Sequence, residues 1–320
     1  MKIVYMGTSE FAVPPLEKLL SNGYIIDKVV TQPDRRGNRG RVQESPVKEA
    51  AMKHGLEILQ PERIKSDDDF MAMLEKLAPD LIIVAAFGQI LPKRVIDIPR
   101  FGCLNIHGSL LPKYRGASPM QKAIADGADV SGVTIMRMDE GLDTGDIIAS
   151  KEIKIFDKDI FQVTEELSNA GADLLITTIP LILKGRASYI KQDDNEASYT
   201  SLIKKRDGET DFSGTANEEK NKLKAFLKWP VLHSYIKGKS VKFFDADVID
   251  DADESFDFGT VTDVTNDSFT IKCRCGSLII KELQLEGKKR MKAGDFLRGF
   301  NIKIGDRFTK KIIKIYIIKE

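Results

Sequence analysis

Asn105 and His107 stand two residues apart at the end of an apolar run, C-L-N-I-H-G, which Gly108 stops. Side chains alternate along a strand, so a carboxamide and an imidazole at this spacing share one face. Both are expected to point beyond the strand's carboxyl edge, where open α/β sheets bind ligands. A carboxamide can donate to a developing oxyanion, and an imidazole can donate or move protons. A lone His is usually structural; the Asn partner and the glycine at the strand end favour chemistry. A second group, M-D-E-G-L-D-T-G-D at residues 138–146, interleaves Asp139, Asp143 and Asp146 with Gly141 and Gly145. These carboxylates could bind Mg²⁺, could orient an imidazole and stabilise its charge, or could form a hydrated acidic turn. A third group, D-R-R-G-N-R-G-R, places Arg35, Arg36, Arg39 and Arg41 on a Gly-broken loop. Forked guanidinium groups suit phosphates and guanine edges, so RNA contact competes with a solvated surface loop.

Such groups need a scaffold, and the first half of the chain alternates strands and helices. Strand-like runs fall at residues 2–6, 25–31, 81–87, 101–106, 133–138 and 147–155. Helical patterns fall at 13–20, 47–53, 120–125 and 160–183. Pro14 and Pro15 fit only a first helical turn, and Ser45-Pro46 and Ser118-Pro119 read as helix starts. The run from Leu81 is almost unbroken apolar, as in a strand buried on both faces. The alternation predicts an α/β fold, a Rossmann-like and mostly parallel sheet with helices on both faces. The first strand runs into M-G-T-S-E-F, without G-x-G-x-x-G, so a dinucleotide oxidoreductase is poorly supported. Residues 188–211 are polar and aperiodic and read as a linker. A helix over 216–227 precedes Trp229-Pro230, and β-like runs follow at 240–244, 260–264, 269–272, 278–285 and 312–318. These suggest a small β-barrel or sandwich. The expected domains are residues 1–189, a linker over 190–208, and residues 209–320.

The bulk properties set limits. The 320 residues suit about two domains, and 42% hydrophobic with 30% charged residues is an ordinary globular composition. The formal net charge of +1 excludes a protein that coats nucleic acid by bulk charge. That balance hides segregation: residues 245–267 hold nine Asp/Glu and no Lys/Arg, whereas residues 268–320 hold 14 Lys/Arg against five Asp/Glu. Basic clusters at 113–115 and 204–206 could touch RNA or simply be solvated. Cys103, Cys273 and Cys275 cannot form a disulfide framework, and with no long apolar run or signal-peptide pattern a reduced, cytoplasmic chain with no membrane contact is expected. Cys273 and Cys275 would share a strand face, but no second pair completes a zinc site.

N-I-H-G-S-L-L-P-K-Y-R-G-A-S-P, then G-V-T-I-M-R-M-D-E-G-L-D-T-G-D-I, then F-L-K-W-P, resembles the methionyl-tRNA formyltransferases among the 10-formyltetrahydrofolate-dependent formyltransferases. The opening M-G-T-S-E-F-A and the T-Q-P-D-R…R-G-R…S-P-V-K stretch are similar too, and the likeness is densest before residue 150. The resemblance implies formyl transfer from 10-formyltetrahydrofolate to the α-amine of methionine on initiator Met-tRNA, with Asn105, His107 and Asp143 catalytic and no metal. It implies folate contacts at Ser109, Leu110, Leu111 and Pro112. It implies tRNA contacts at Arg35, Arg36, Arg39 and Arg41, with Arg39 the best match to the key basic residue, and a methionine pocket at Phe11, for which a buried core phenylalanine is the alternative. An OB-like C-terminal barrel that binds tRNA is implied as well, and a monomer is expected. Other readings are formylation of a small amine such as a nucleotide sugar or glycinamide ribonucleotide, and a non-catalytic RNA-binding protein; the first does not need the Arg loop, and the second leaves the Asn, His and Asp unexplained.

Overall fold

The computed structural model describes residues 1–36, 42–251 and 255–311. From the N-terminus the chain runs β1 (Ile3–Gly7), α1 (Val13–Ser21), β2 (Ile26–Val30), β3 (Arg35–Arg36), β4 (Val42–Gln43), α2 (Pro46–Lys53), β5 (Ile58–Leu59), α3 (Asp68–Leu77), β6 (Leu81–Ala85), α4 (Lys93–Ile96), β7 (Cys103–His107), β8 (Arg115–Gly116), α5 (Pro119–Ala125), β9 (Val130–Arg137), β10 (Ile147–Lys154), α6 (Ile160–Leu183) and β11 (Tyr199–Thr200). Internal contacts divide it into two units. The first holds Met1–Met120, Val130–Ile155 and Gln162–Leu202; the second holds Gln121–Asp129, Phe156–Phe161 and the described residues from Ile203 onward.

The first unit is built on a sheet of order β10-β9-β7-β6-β1-β2-β5. β1 and β6 are buried along their whole length, as their unbroken apolar sequences require when both faces are covered. Val4, Met6, Ile82, Val84 and Cys103 pack on one face with Phe70, Met71 and Leu74 of α3 and with Val95 and Ile96 of α4. On the other face Gly171 of α6 sits so close to β7 and β9 that a Cβ there would lie 2.8 Å from Ile106. The pairs among β5, β2, β1, β6 and β7 are parallel. β9 departs from the expected βαβ alternation and runs antiparallel to β7, and β10 runs antiparallel to β9.

The second unit continues with α7 (Ala216–Phe226), β12 (His233–Ile236), β13 (Lys239–Ile249), β14 (Val261–Val264), β15 (Phe269–Lys272), β16 (Ser277–Leu285), β17 (Met291–Lys292) and α8 (Ala293–Gly299). The strands form an antiparallel, curled sheet of order β12-β13-β16-β15-β14, with β17 on β16, consistent with an OB-like fold. Its two edges meet through residues 305–309: Thr309 exchanges backbone hydrogen bonds with Tyr235 of β12, and the Asp306 carbonyl accepts from Val261 of β14. The sequence pattern missed β12, β17, α8 and this closing segment; the run expected at 312–318 lies outside the described residues. Phe212, Phe243, Phe269, Phe296 and Phe308 fill the core in edge-to-face, tilted and stacked pairs, with neighbouring ring centroids 5.5–6.0 Å apart. The C-x-C pair lies in the turn after β15 and not in a strand, so Cys273 is buried and Cys275 exposed.

α7 starts with a reciprocal cap. Thr215 Oγ1 accepts from the Glu218 amide at 3.2 Å, and Glu218 Oε2 accepts from the Thr215 amide at 2.7 Å. Thr215→Ala is expected to destabilise this unit by about 1 kcal/mol, read as a lower denaturant midpoint for its unfolding.

Candidate active site

Asn105 and His107 lie on the same face of β7 as Cys103. Residues 138–146 come back against that face, where Asp143 meets both side chains. β9 ends opposite the start of β7, Met138 donates its amide to the Cys103 carbonyl, and the loop then doubles back. Asp139 Oδ1 ties the loop internally, accepting from the Gly141 amide and from Thr144 Oγ1 at 2.7 Å. Gly145 allows the return: a Cβ there would sit 1.8 Å from the Arg137 carbonyl oxygen. Asp143 sits at the crest with φ +54°, in the left-handed region that Asp tolerates better than most residues.

The fold brings the three side chains together. Asn105 Nδ2 donates to Asp143 Oδ1 at 3.3 Å, and His107 Nδ1 lies 3.6 Å from Asp143 Oδ2. The Gly116 amide donates to that same Oδ2 at 2.8 Å. His107 Nε2 lies 3.0 Å from the Tyr114 carbonyl oxygen. A carbonyl only accepts, so Nε2 carries a hydrogen and Nδ1 faces the carboxylate. A neutral His107 therefore presents a proton acceptor next to Asp143, and a protonated one presents a donor there. Cys103 on the same face is fully buried, and that burial pushes its thiol up to about 12, away from the thiolate form. Among the described residues, no group of three or more His, Cys, Asp and Glu side chains is arranged to hold a metal ion.

A cavity of about 820 Å³ opens where the strand order reverses between β1 and β6, the usual crevice for ligands in such sheets. Its wall includes Gln32, Asp34, Arg63, Ile90, Leu91 and Glu140. Gln89 fixes this wall, accepting from the Ile64 amide and donating to the Pro61 carbonyl, each at 3.0 Å. The catalytic candidates do not line the cavity, but Glu140 belongs to the same loop as Asp143.

The amino-acid sequence matches the formyl transferase family model over residues 1–179 and the formyl transferase C-terminal domain model over residues 202–301. The chain belongs to the formyl transferase family. A protein from Lachnospira eligens named methionyl-tRNA formyltransferase is 44% identical over 95% of this chain and 98% of its own. One of the same name from Geobacter sulfurreducens is 40% identical over 96% of each. Among solved structures, an N-formyltransferase from Helicobacter canadensis, crystallised with folinic acid and dTDP-3-aminofucose, superposes with a TM-score of 0.64 over 88% of this chain and 98% of its own. At 21% identity that likeness speaks for the formyl transferase fold alone.

Within this formyl transferase the other expected site residues are placed as follows. Ser109 is fully buried, and its hydroxyl donates to the Lys113 carbonyl at 2.6 Å. Leu110 is half-buried against Gly132, Leu111 is buried, and Pro112 follows it through a cis peptide bond. None of these four lines the cavity, whose wall at residues 88–93 the sequence reading missed. Arg35 and Arg36 form β3, paired with β4; Arg39 and Arg41 lie outside the described residues. At the base of that loop Lys48 and Gln60 both bond Asp34 and hold its carboxyl below the usual carboxylate range. Phe11 is 2% exposed, and its carbonyl accepts from Ser168 of α6. Arg115, expected to be solvated or to contact RNA, is instead buried beside the site.

Proposed function

We propose that this protein transfers the formyl group of 10-formyltetrahydrofolate to the α-amino group of methionine on initiator tRNA, and so supports translation initiation. The convergence of Asn105 and His107 on Asp143 carries this reading, because acyl transfer to an amine needs an oxyanion donor and a route for protons. The neutral amine attacks the formyl carbon, and negative charge gathers on the formyl oxygen. The Asn105 amide nitrogen has two hydrogens; one serves Asp143 and the other can reach that oxygen. The attacking nitrogen sheds a proton while the folate nitrogen gains one. His107 Nδ1, backed by Asp143, takes or returns that proton directly or through water.

The donor's pterin fits the cavity at the sheet reversal, within the volume range of small-molecule sites. Ser109, Leu110, Leu111 and Pro112 border the reactive end. Arg35, Arg36, Arg39 and Arg41 meet the tRNA acceptor end, and Phe11 lies by the methionine side chain. The C-terminal barrel supplies a second RNA-contacting surface; of the linker expected at 190–208 between the domains expected at 1–189 and 209–320, the part up to Leu202 serves the catalytic domain. Three free cysteines, two of them buried, suit a reducing cytoplasm, and no described helix is long and apolar enough to cross a membrane. The protein acts as a monomer, which sedimentation at working concentration tests.

Incubation with 10-formyltetrahydrofolate and either Met-tRNA, uncharged tRNA or small amines is the deciding assay. Formyl-Met-tRNA is the expected product. Transfer only to small amines would overturn the reading in favour of a sugar-type formyltransferase, and tight RNA binding without transfer would favour a binding module.

A further inference from the structure

We infer that Gln192 and Arg115 are positioning residues, acting through the backbone of residues 143–145 to hold Asp143 against Asn105 and His107; the inference rests on the function proposed above. Gln192 Nε2 donates to the Asp143 carbonyl at 2.8 Å and to the Gly145 carbonyl at 2.7 Å. Both acceptors are carbonyls, so the amide nitrogen must face the loop and the amide oxygen must face away. That oxygen accepts from Arg115 Nε at 3.0 Å. Arg115 is fixed in turn: its side chain is 1% exposed, Nη1 donates to Tyr199 Oη at 3.0 Å, and Nη2 pairs with Asp194 at 2.9 Å.

The next residue completes the clamp, because the Gly116 amide holds the Asp143 carboxylate itself. Tyr199 and Thr200 pair in register with Arg115 and Gly116, so one ribbon holds the Asp143 carboxylate directly through Gly116 and its backbone indirectly through Arg115 and Gln192. A residue at φ +54° keeps that conformation only when its surroundings over-determine it, and the two carbonyl bonds from Gln192 do so on either side of Thr144.

The substitution Q192E tests this. It preserves shape and the Arg115 partner but turns a carboxylate oxygen toward two carbonyl oxygens. Displacing a catalytic group by about 1 Å costs up to roughly 10²-fold, so kcat for Met-tRNA formylation should fall about 10- to 100-fold while KM for both substrates stays within about twofold. In a D143N background the same change should cost less than about twofold, because a residue that works through the Asp143 carboxylate has nothing left to position. Should Q192E unfold, Q192M carries the same test without the repulsion. Unchanged kcat, a rise in KM with kcat intact, or an undiminished loss in the D143N background would each overturn the inference. A wild-type protein that does not formylate Met-tRNA would instead sink the proposed function.

Discussion

Asn105→Ala is expected to lower kcat by about 10²- to 10³-fold, the usual cost of removing one oxyanion donor, with KM for Met-tRNA near that of the wild type. The side chain is half-buried on β7, and among the described residues its hydrogen-bond partner in the site is Asp143, at a long 3.3 Å. So weak a ground-state bond adds little to folding, and the carboxamide's contribution comes when charge develops on the formyl oxygen. Loss confined to kcat is the signature of an interaction made only in the transition state. Steady-state kinetics with saturating donor decide it, and wild-type turnover in Asn105→Ala would remove this residue from the mechanism.

His107→Ala should cost about 10²- to 10⁴-fold in kcat, the range for a lost general acid–base group. The Tyr114 carbonyl holds Nε2, leaving Nδ1 as the working nitrogen opposite Asp143. Added imidazole should restore part of the rate, since a small base can occupy the vacated space and accept the same proton. Combining His107→Ala with Asn105→Ala should cost less than the product of the single losses, because the two groups serve one charge-separated transition state. Full additivity together with no imidazole rescue would make His107 a structural residue.

Much of this site was legible in the residues. β1, β6 and β7 announce themselves because strands buried on both faces need unbroken apolar sequence, and the periodicity of α6 gives its ends at Ile160 and Leu183. Asn105 and His107 follow from the two-residue repeat of a strand. Their partner was harder, because 38 residues separate Asn105 from Asp143, and only the reversal of β9 folds that loop over β7. Local periodicity does not encode whether a strand runs parallel or antiparallel. Gln192 was hidden for another reason: inside Q-D-D-N-E it looks like a solvated polar residue, and Arg115 looks like one more surface cation. Each is recognisable only from the other, and from Asp194 and Tyr199 around them. The charge segregation also reads differently in space. Lys281 pairs with Asp247, Lys272 with Asp251 and Arg307 with Asp257, so acidic residues of 245–267 neutralise part of the basic excess that follows them.

The ribbon of Arg115–Gly116 and Tyr199–Thr200 bears on how this activity can be moved between proteins. A fragment ending at residue 189 retains every side chain that does the proposed chemistry. It loses Gln192 at the Asp143 carbonyl, the Ser198 hydroxyl at the Tyr114 amide and the Thr200 hydroxyl at the Ser118 amide. The two family matches leave residues 180–201 between them, yet that stretch supplies the Gln192, Ser198 and Thr200 bonds to residues 143–145 and 114–118. Recombination at this seam, in nature or in the laboratory, is expected to keep a working centre only when the crossover falls after Leu202.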